Sequence, residues 1–193
     1  LFICTVPNLL GCNDTDKIVS EDIFSENLEA WLATEVNRRA PLESLDFAKE
    51  PLTKSQAAHV AALLFADKQE RMLSNYGTQW DNRLLKFDGY EMPFYYNTFG
   101  DEPSDGRSLF ISLHGGGGTT ASQNDQQYNN QKHLYDDTMK DIEGVYLAPR
   151  APTNTWNLWH QNHIDDFLGI LIQMAVIKLK VNPNKVYLLG YSA

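Results

Sequence analysis

Short apolar runs alternate with longer polar segments in the second half of the chain. Residues 109–113 and 144–150 have the length and the β-branched and aromatic content of strands, and a third such run begins at residue 185. Between the last two runs, apolar residues recur at helical spacing over residues 164–180, with acids in the first turn and lysines in the last. This alternation predicts strand–helix–strand units, and therefore a mostly parallel sheet with right-handed crossovers.

A β-hairpin is predicted just before these units. Residues 84–87 and 90–99 are rich in aromatic and apolar side chains and are separated by Asp88-Gly89. Asp-Gly favours the positive-φ turn that matches the twist of two paired strands.

The first third of the chain has a helical pattern. Residues 20–39 carry apolar positions near helical spacing, and Pro41 closes the segment. A second helix is expected from Thr53, which forms a capping box with Gln56. These helices could be an N-terminal cap or could cover one sheet edge. The predicted organisation is a leader and tether over residues 1–19, a helical segment over 20–82 and a sheet domain over 83–193.

Composition narrows the function classes. With 42% apolar and 21% charged residues the chain is globular, and its formal charge of −9 and pI of about 4.9 argue against a nucleic-acid partner. No run is long and apolar enough to span a bilayer.

Both cysteines, Cys4 and Cys12, lie at the N-terminus, so they form no disulfide framework for the body of the chain. Leu9-Leu10-Gly11-Cys12 resembles a bacterial lipobox, in which the cysteine is acylated, and a polar tether follows. The segment predicts a truncated leader, a lipid anchor at Cys12 and an extracytoplasmic location. A leader starts with Met and a basic region, so the beginning of this one is expected to be missing before Leu1. The alternative is an ordinary buried N-terminal segment, which would place the protein in the cytoplasm.

Two predicted strands end in residues that could take part in catalysis. The last strand leads to Gly190-Tyr191-Ser192, which matches the start of a G-x-S-x-G nucleophile elbow. A sharp turn after a strand lifts such a serine hydroxyl clear of the sheet. The strand over residues 109–113 leads to His114 and four glycines, a turn that can offer backbone N–H groups to an oxyanion.

With these residues the sequence resembles the α/β-hydrolase superfamily, and within it the esterase branch of polyhydroxybutyrate depolymerases and feruloyl or acetylxylan esterases. The resemblance covers roughly residues 84–193. It is carried by residues 113–117, by Asp165-Asp166-Phe167 and by residues 181–193. It implies an α/β-hydrolase fold, with a mostly parallel sheet and helices on both faces, truncated after the nucleophile strand.

The resemblance also implies roles. Ser192 would be the nucleophile, and the N–H of Ala193 together with Gly116 or Gly117 would form the oxyanion hole. His114 and Gly115 would shape the oxyanion loop. The implied reaction is hydrolysis of a small-molecule or polymeric carboxylic ester through an acyl-enzyme, without a cofactor or a metal.

One departure from the family pattern concerns the general base. In that family the acid and the histidine follow the serine, but here only Ala193 does. The histidines at positions 114, 133, 160 and 163 all precede Ser192 and are not expected to act as base. We therefore expect the chain to be part of a longer hydrolase and nearly inactive alone.

Two further groups of residues in the sequence could contribute to function. Trp156 and Trp159 lie in a loop after a strand and are predicted to form a substrate rim, or else to pack over the next helix. His160 and His163 with the two aspartates resemble a metal cluster, but the aspartates are better explained as helix N-terminal charges. The functional alternatives are a prolyl-oligopeptidase-type peptidase and a non-catalytic binding protein.

Overall fold

The computed structural model describes residues 14–116, 119–190 and 192, the first ten of these by their backbone alone. Three short 3₁₀ helices, Val36–Arg38, Leu42–Ser44 and Asp46–Lys49, lie between the first two α-helices. The α-helices and strands follow in the order α1 (Asp14–Ala33), α2 (Lys54–Asp81), β1 (Leu84–Phe87), β2 (Tyr90–Phe99), β3 (Arg107–Leu113), α3 (Ala121–Gln131), α4 (Asp136–Met139), β4 (Gly144–Pro149), α5 (His163–Leu179) and β5 (Val181–Gly190).

The chain divides into two compact units, Leu1–Lys68 and Gln69–Ala193, and the division falls inside α2. The second half of α2 belongs to the sheet unit because Met72 and Trp80 are buried in its core. The sequence places the boundary later, at residue 82, where the helical pattern gives way to strands.

The first unit is helical, and local hydrogen bonds explain where α2 begins and where α1 ends. The capping box predicted at the start of α2 is confirmed, because the Thr53 N–H donates to Gln56 Oε1 at 2.8 Å and the Gln56 N–H donates to Thr53 Oγ1 at 3.3 Å. Helix α1 ends at Ala33, earlier than predicted. The guanidinium of Arg39 donates to the carbonyls of Leu32 and Thr34 at this end, and it also pairs with Asp67.

The sheet of the second unit has the strand order β1-β2-β4-β3-β5. Strand β2 is antiparallel to both β1 and β4, whereas β3 is parallel to both β4 and β5. The sheet is therefore mixed, and the predicted fold class, a mostly parallel α/β-hydrolase sheet, is wrong.

The physical reason lies in the length of β2. The hairpin around Asp88-Gly89 is confirmed, but β2 continues to Phe99, well beyond the four residues of β1. Its second half pairs with β4, from Phe94 opposite Pro149 to Phe99 opposite Gly144. The hairpin thus enters the main sheet, and only the three strands predicted from the strand–helix–strand pattern run parallel.

Strand β5 also differs from its prediction at its start. It begins at Val181, and its pairing with β3 shifts register between Arg107 and Leu109. The irregularity accommodates Pro183, which cannot donate to a ladder and is tolerated here at an edge of the sheet. Helix α5 ends at Leu179, before this proline, and its C-cap Lys180 adopts a left-handed conformation with φ +53°.

Alternating side chains of the central strands enter two cores on opposite faces of the sheet. Leu109 and Ile111 of β3 pack in the larger core, together with the apolar face of α5 and the second half of α2. Phe110 packs in a smaller core around Met139 and Tyr146. Each face is therefore covered by helices, α5 and α2 on one and α4 on the other.

Trp80 is the largest fully buried side chain in the described part of the chain. Its ring lies 5.0 Å from the ring of Phe94 and 5.2 Å from that of Tyr96. We expect Trp80→Ala to lower the free energy of unfolding by about 3–5 kcal/mol, measured by urea denaturation, because the substitution leaves a large cavity.

Two variants control this prediction. Trp80→Phe should cost less than Trp80→Ala, since it keeps most of the ring and removes a buried Nε1 donor that has no partner in the described part of the chain. Trp156 is 72% exposed, so Trp156→Ala should change stability by no more than about 0.5 kcal/mol. A Trp80→Ala protein as stable as the Trp156→Ala protein would refute the assignment of Trp80 to the core.

No helix formed by the described residues is both long and apolar enough to cross a membrane. Cys12 and its predicted lipid anchor lie outside the described residues, as do Gly117, Tyr191 and Ala193. The roles predicted for these residues stay predictions.

Candidate active site

The predicted site residues follow strands that end at one edge of the sheet. Because β3, β4 and β5 are parallel, their carboxyl ends lie together, and His114, Arg150 and Ser192 come shortly after them. The start of β2 lies at this same edge, where the Arg150 N–H donates to the Pro93 carbonyl at 2.8 Å. The site is therefore built from loops that a rigid sheet holds in place.

Ser192 is exposed and has a φ of +64°. This left-handed region is uncommon for a residue with a Cβ, and holding a side chain there costs on the order of 1–3 kcal/mol. Ser192 follows β5, a parallel strand at the edge of the sheet, two residues after its end. A strained serine in a turn after a parallel strand is the backbone geometry that a nucleophile elbow requires.

His114 is fully buried, and both of its ring nitrogens have partners in the protein. Its Nε2 accepts a hydrogen bond from the Ala151 N–H at 3.1 Å. The neutral ring therefore carries its proton on Nδ1, which donates to the Gly115 carbonyl at 2.8 Å. His114 thus joins the loop after β3 to the loop after β4, and neither nitrogen is free to take a proton from Ser192.

Burial lowers the pKa of His114 below its ordinary value of 6.5, and the nearby Arg150 guanidinium lowers it further, against the opposing effects of the Gly115 carbonyl and Asp125. In the pH range between this lowered pKa and 6.5, the unfolded chain binds more protons than the folded chain. The free energy of unfolding should therefore fall as the pH drops through this range, and His114 should contribute no pH dependence above it.

The variant His114→Gln tests this expectation. Glutamine keeps an acceptor oxygen for the Ala151 N–H but does not titrate. We expect the wild-type Tm to fall more steeply than the Tm of His114→Gln between about pH 7 and pH 5. Parallel curves for the two proteins would contradict the buried, neutral state of His114.

Gly116 lies against a buried leucine. A Cβ on Gly116 would stand 2.5 Å from Leu158 Cδ1 and 3.1 Å from Leu158 Cγ. Because Leu158 is fully buried, it cannot move aside into solvent. A side chain at position 116 would therefore force either the loop or Leu158 to shift.

The two tryptophans of the predicted substrate rim differ in their surroundings. The Trp159 indole N–H donates to the His114 carbonyl at 2.8 Å, and its ring meets the His114 ring edge-on at 5.2 Å. Trp156 is highly exposed and does not line the cavity beside Ser192. The structure thus brings Trp159, but not Trp156, to the predicted nucleophile.

A cavity of about 300 Å³ lies between the ends of β3 and β5 and the start of α5. Ser192 and Gly190 line it at the end of β5, and His114 lines it at the end of β3. Its remaining wall is mainly apolar and consists of Leu113, Trp159, Ile164, Leu168 and Leu188, with His160 and Asp165 as further polar members. A volume of this size, with an apolar wall and few polar groups, suits part of a small organic substrate.

The loop after β4 is held by a polar network that the sequence does not predict. Arg150 is 8% exposed and donates to Asp125 Oδ1 at 3.0 Å and to Asn154 Oδ1 at 2.6 Å. Asn124 of α3 donates to the same Asn154 oxygen at 3.1 Å. An arginine directly after a buried strand is the one signal in the sequence that could have pointed to this network.

The other histidines do not complete a catalytic pair. Among the described residues no hydrogen bond joins Ser192 to a histidine. His133 pairs with Asp136 at 2.8 Å on α4, and His160 and His163 line two different cavities. In the described part of the chain, no group of three or more His, Cys, Asp or Glu residues is placed to hold a metal ion.

A strained serine, a glycine loop fixed by a buried histidine, and an apolar cavity meet at one sheet edge. Comparison of the chain with protein-family models, with curated proteins and with solved structures found no match.

Proposed function

We propose that the chain carries the nucleophile and part of the oxyanion site of a serine hydrolase that cleaves carboxylic esters. The observation that carries the proposal is the left-handed Ser192, exposed at the end of β5 in a cavity shared with His114. Left-handed backbone costs free energy in a residue other than glycine. A helix end explains it at Lys180 and a turn explains it at Asp88, whereas Ser192 combines it with a place in the cavity.

The proposed reaction is acyl transfer. The Ser192 oxygen attacks the ester carbonyl, the tetrahedral intermediate collapses with departure of the alcohol, and water then releases the acid from the acyl-enzyme. Backbone N–H groups of the loop at Gly116 would stabilise the oxyanion, and each well-placed donor contributes about 3–4 kcal/mol. The apolar wall formed by Trp159, Ile164 and Leu168 would receive an apolar part of the ester.

A general base has to accept the serine proton, and the described residues do not supply one in hydrogen-bonding position. This observation favours a second candidate function, a binding protein that keeps the cavity without catalysis. The two candidates differ in whether the Ser192 hydroxyl is activated.

Labelling with a fluorophosphonate, followed by mass spectrometry of the modified peptide, separates them. The protein should be made from its complete reading frame. We expect one phosphonylated serine, Ser192, and loss of the label in Ser192→Ala but not in Ser122→Ala, which alters an exposed serine of α3. A folded protein that takes up no label, or that keeps it after Ser192→Ala, would exclude the hydrolase and favour the binding protein.

A further inference from the structure

Asn124 of α3 is a fully buried polar side chain beside the glycine loop that follows β3. A Cβ on Gly116 would stand 3.8 Å from Asn124 Oδ1, so this oxygen is a close neighbour of the loop backbone. None of the described residues donates a hydrogen bond to it. A buried polar atom without a partner is unfavourable, so the presence of an amide oxygen at this place needs an explanation.

The surrounding hydrogen bonds fix which end of the Asn124 amide faces the loop. Arg150 can only donate, and its Nη2 lies 2.6 Å from the Asn154 side chain, so the Asn154 atom at this contact is the acceptor Oδ1. The Asn124 atom that meets the same oxygen at 3.1 Å must therefore be the donor Nδ2. Exchanging the two ends of the Asn124 amide would place two acceptor oxygens against each other. The Asn124 atom on the Gly116 side is consequently an acceptor.

The network around Asn154 does not account for this acceptor. Asn154 Oδ1 already accepts from Arg150, and Arg150 is itself held by Asp125 at 2.9 Å. The contact with Asn154 uses only the Nδ2 end of Asn124. Asparagine is uncommon at fully buried positions, where each end of its amide has to find a partner. Its Oδ1 end is the part that the described network leaves unused.

The loop at Gly116 is the neighbour that can supply the missing donor. Because residues 115–118 are all glycine, the loop can donate only through its backbone N–H groups. On its other side the loop is already fixed through a carbonyl, since His114 Nδ1 donates to the Gly115 oxygen at 2.8 Å. A second anchor at Asn124 would hold the loop at two points, so that its remaining N–H groups stay directed at an oxyanion.

We propose that Asn124 is a positioning residue for the hydrolase reaction. Its Oδ1 accepts a hydrogen bond from a backbone N–H of the loop at Gly116 and so keeps the oxyanion donors in place. Asn124 does not line the cavity beside Ser192 and acts through the loop alone. The inference rests on the proposed function, because an oxyanion site has a role only in catalysis.

Asn124→Leu removes the acceptor and keeps a similar volume. We expect kcat for a p-nitrophenyl ester to fall by about ten- to 100-fold, the scale of loss for a misplacement of about 1 Å, while KM stays close to its wild-type value. Asn130→Leu is the matched control, because it makes the same substitution at an exposed position of α3, and it should keep wild-type kcat. A folded Asn124→Leu protein with a lower Tm but wild-type kcat would overturn the proposal, since Asn124 would then contribute to stability alone.

Asn124→Asp distinguishes an acceptor for the loop from mere filling of space, and it keeps the test valid if Asn124→Leu does not fold. A protonated carboxyl retains both an acceptor for the loop and a donor for Asn154, whereas an ionised carboxylate loses the donor and adds a charge beside the oxyanion. The kcat of Asn124→Asp relative to wild type should therefore be highest at the acid end of the accessible pH range and fall as the pH rises. At that acid end it should exceed the relative kcat of Asn124→Leu. A relative kcat that does not change with pH would contradict the proposal.

Amide hydrogen exchange, read by mass spectrometry of the peptide that contains residues 115–118, tests the hydrogen bond without reference to activity. We expect faster exchange in this peptide for Asn124→Leu than for wild type or Asn130→Leu. Unchanged exchange would overturn the proposed hydrogen bond whatever the kinetics show. If the wild-type protein neither cleaves esters nor takes up a fluorophosphonate, the hydrolase proposal fails instead, and the exchange rates still decide whether Asn124 holds the loop.

Discussion

Ser192→Ala should reduce kcat for a p-nitrophenyl ester by about a millionfold, the scale of effect expected when a catalytic serine is removed. Among the described residues that line the cavity, Ser192 supplies the only hydroxyl, so its loss would remove the proposed covalent step. Because the side chain is exposed and small, the Tm should change little. Steady-state kinetics on the protein from its complete reading frame would measure the effect.

The control for this prediction is Ser122→Ala, which should keep wild-type kcat. A Ser192→Ala protein that retains a tenth or so of the wild-type kcat would refute the assignment, since no mechanism through this serine survives its removal. Activity that is absent from both the wild type and the variant would favour the binding protein instead.

Gly116→Ala should lower kcat by about 100- to 1,000-fold, the loss expected when one oxyanion donor is displaced. The new Cβ would stand 2.5 Å from Leu158 Cδ1, and because Leu158 is fully buried we expect the loop to take up part of the shift. Backbone N–H groups that stabilise only the transition state affect kcat, so KM should stay close to its wild-type value.

The clash itself can be tested by giving the Cβ room. In Gly116→Ala/Leu158→Ala the contact is absent, and part of the lost kcat should return, although Leu158→Ala alone costs about 2–5 kcal/mol of stability. Gly77→Ala in α2 is the matched control, because a Cβ there meets nothing within 4 Å, and it should leave kcat unchanged. If the double variant is no more active than Gly116→Ala, steric displacement by Leu158 is not the cause.

Local signals in the sequence predict most of the elements. The capping box at Thr53, the Asp88-Gly89 turn and the apolar stripe of α5 each depend on neighbours a few residues apart, and the structure confirms them. The fold class fails because it depends on which strand β2 joins on its second side. That choice is made by pairing with β4, about 50 residues later in the chain, and no local pattern encodes it.

In the candidate site, too, the features that depend on local sequence are predictable and those that depend on long-range contacts are not. Ser192 and His114 are recognisable because each comes within two residues of the end of an apolar run, and the structure places both on one cavity. The side-chain hydrogen bonds that hold the loop after β4 cannot be predicted in this way. Arg150, Asp125 and Asn154 meet only after α3 and the loop past β4 are packed together. The separate locations of Trp156 and Trp159 likewise depend on the path of that loop.

The strand order has a consequence for synthesis on the ribosome. Strand β3 lies between β4 and β5, and both of these neighbours come later in the chain. The apolar segment Arg107–Leu113 therefore leaves the ribosome before either of its pairing partners exists. Until β4 emerges, this segment offers two unpaired edges to other nascent chains, which is the kind of surface that chaperones cover.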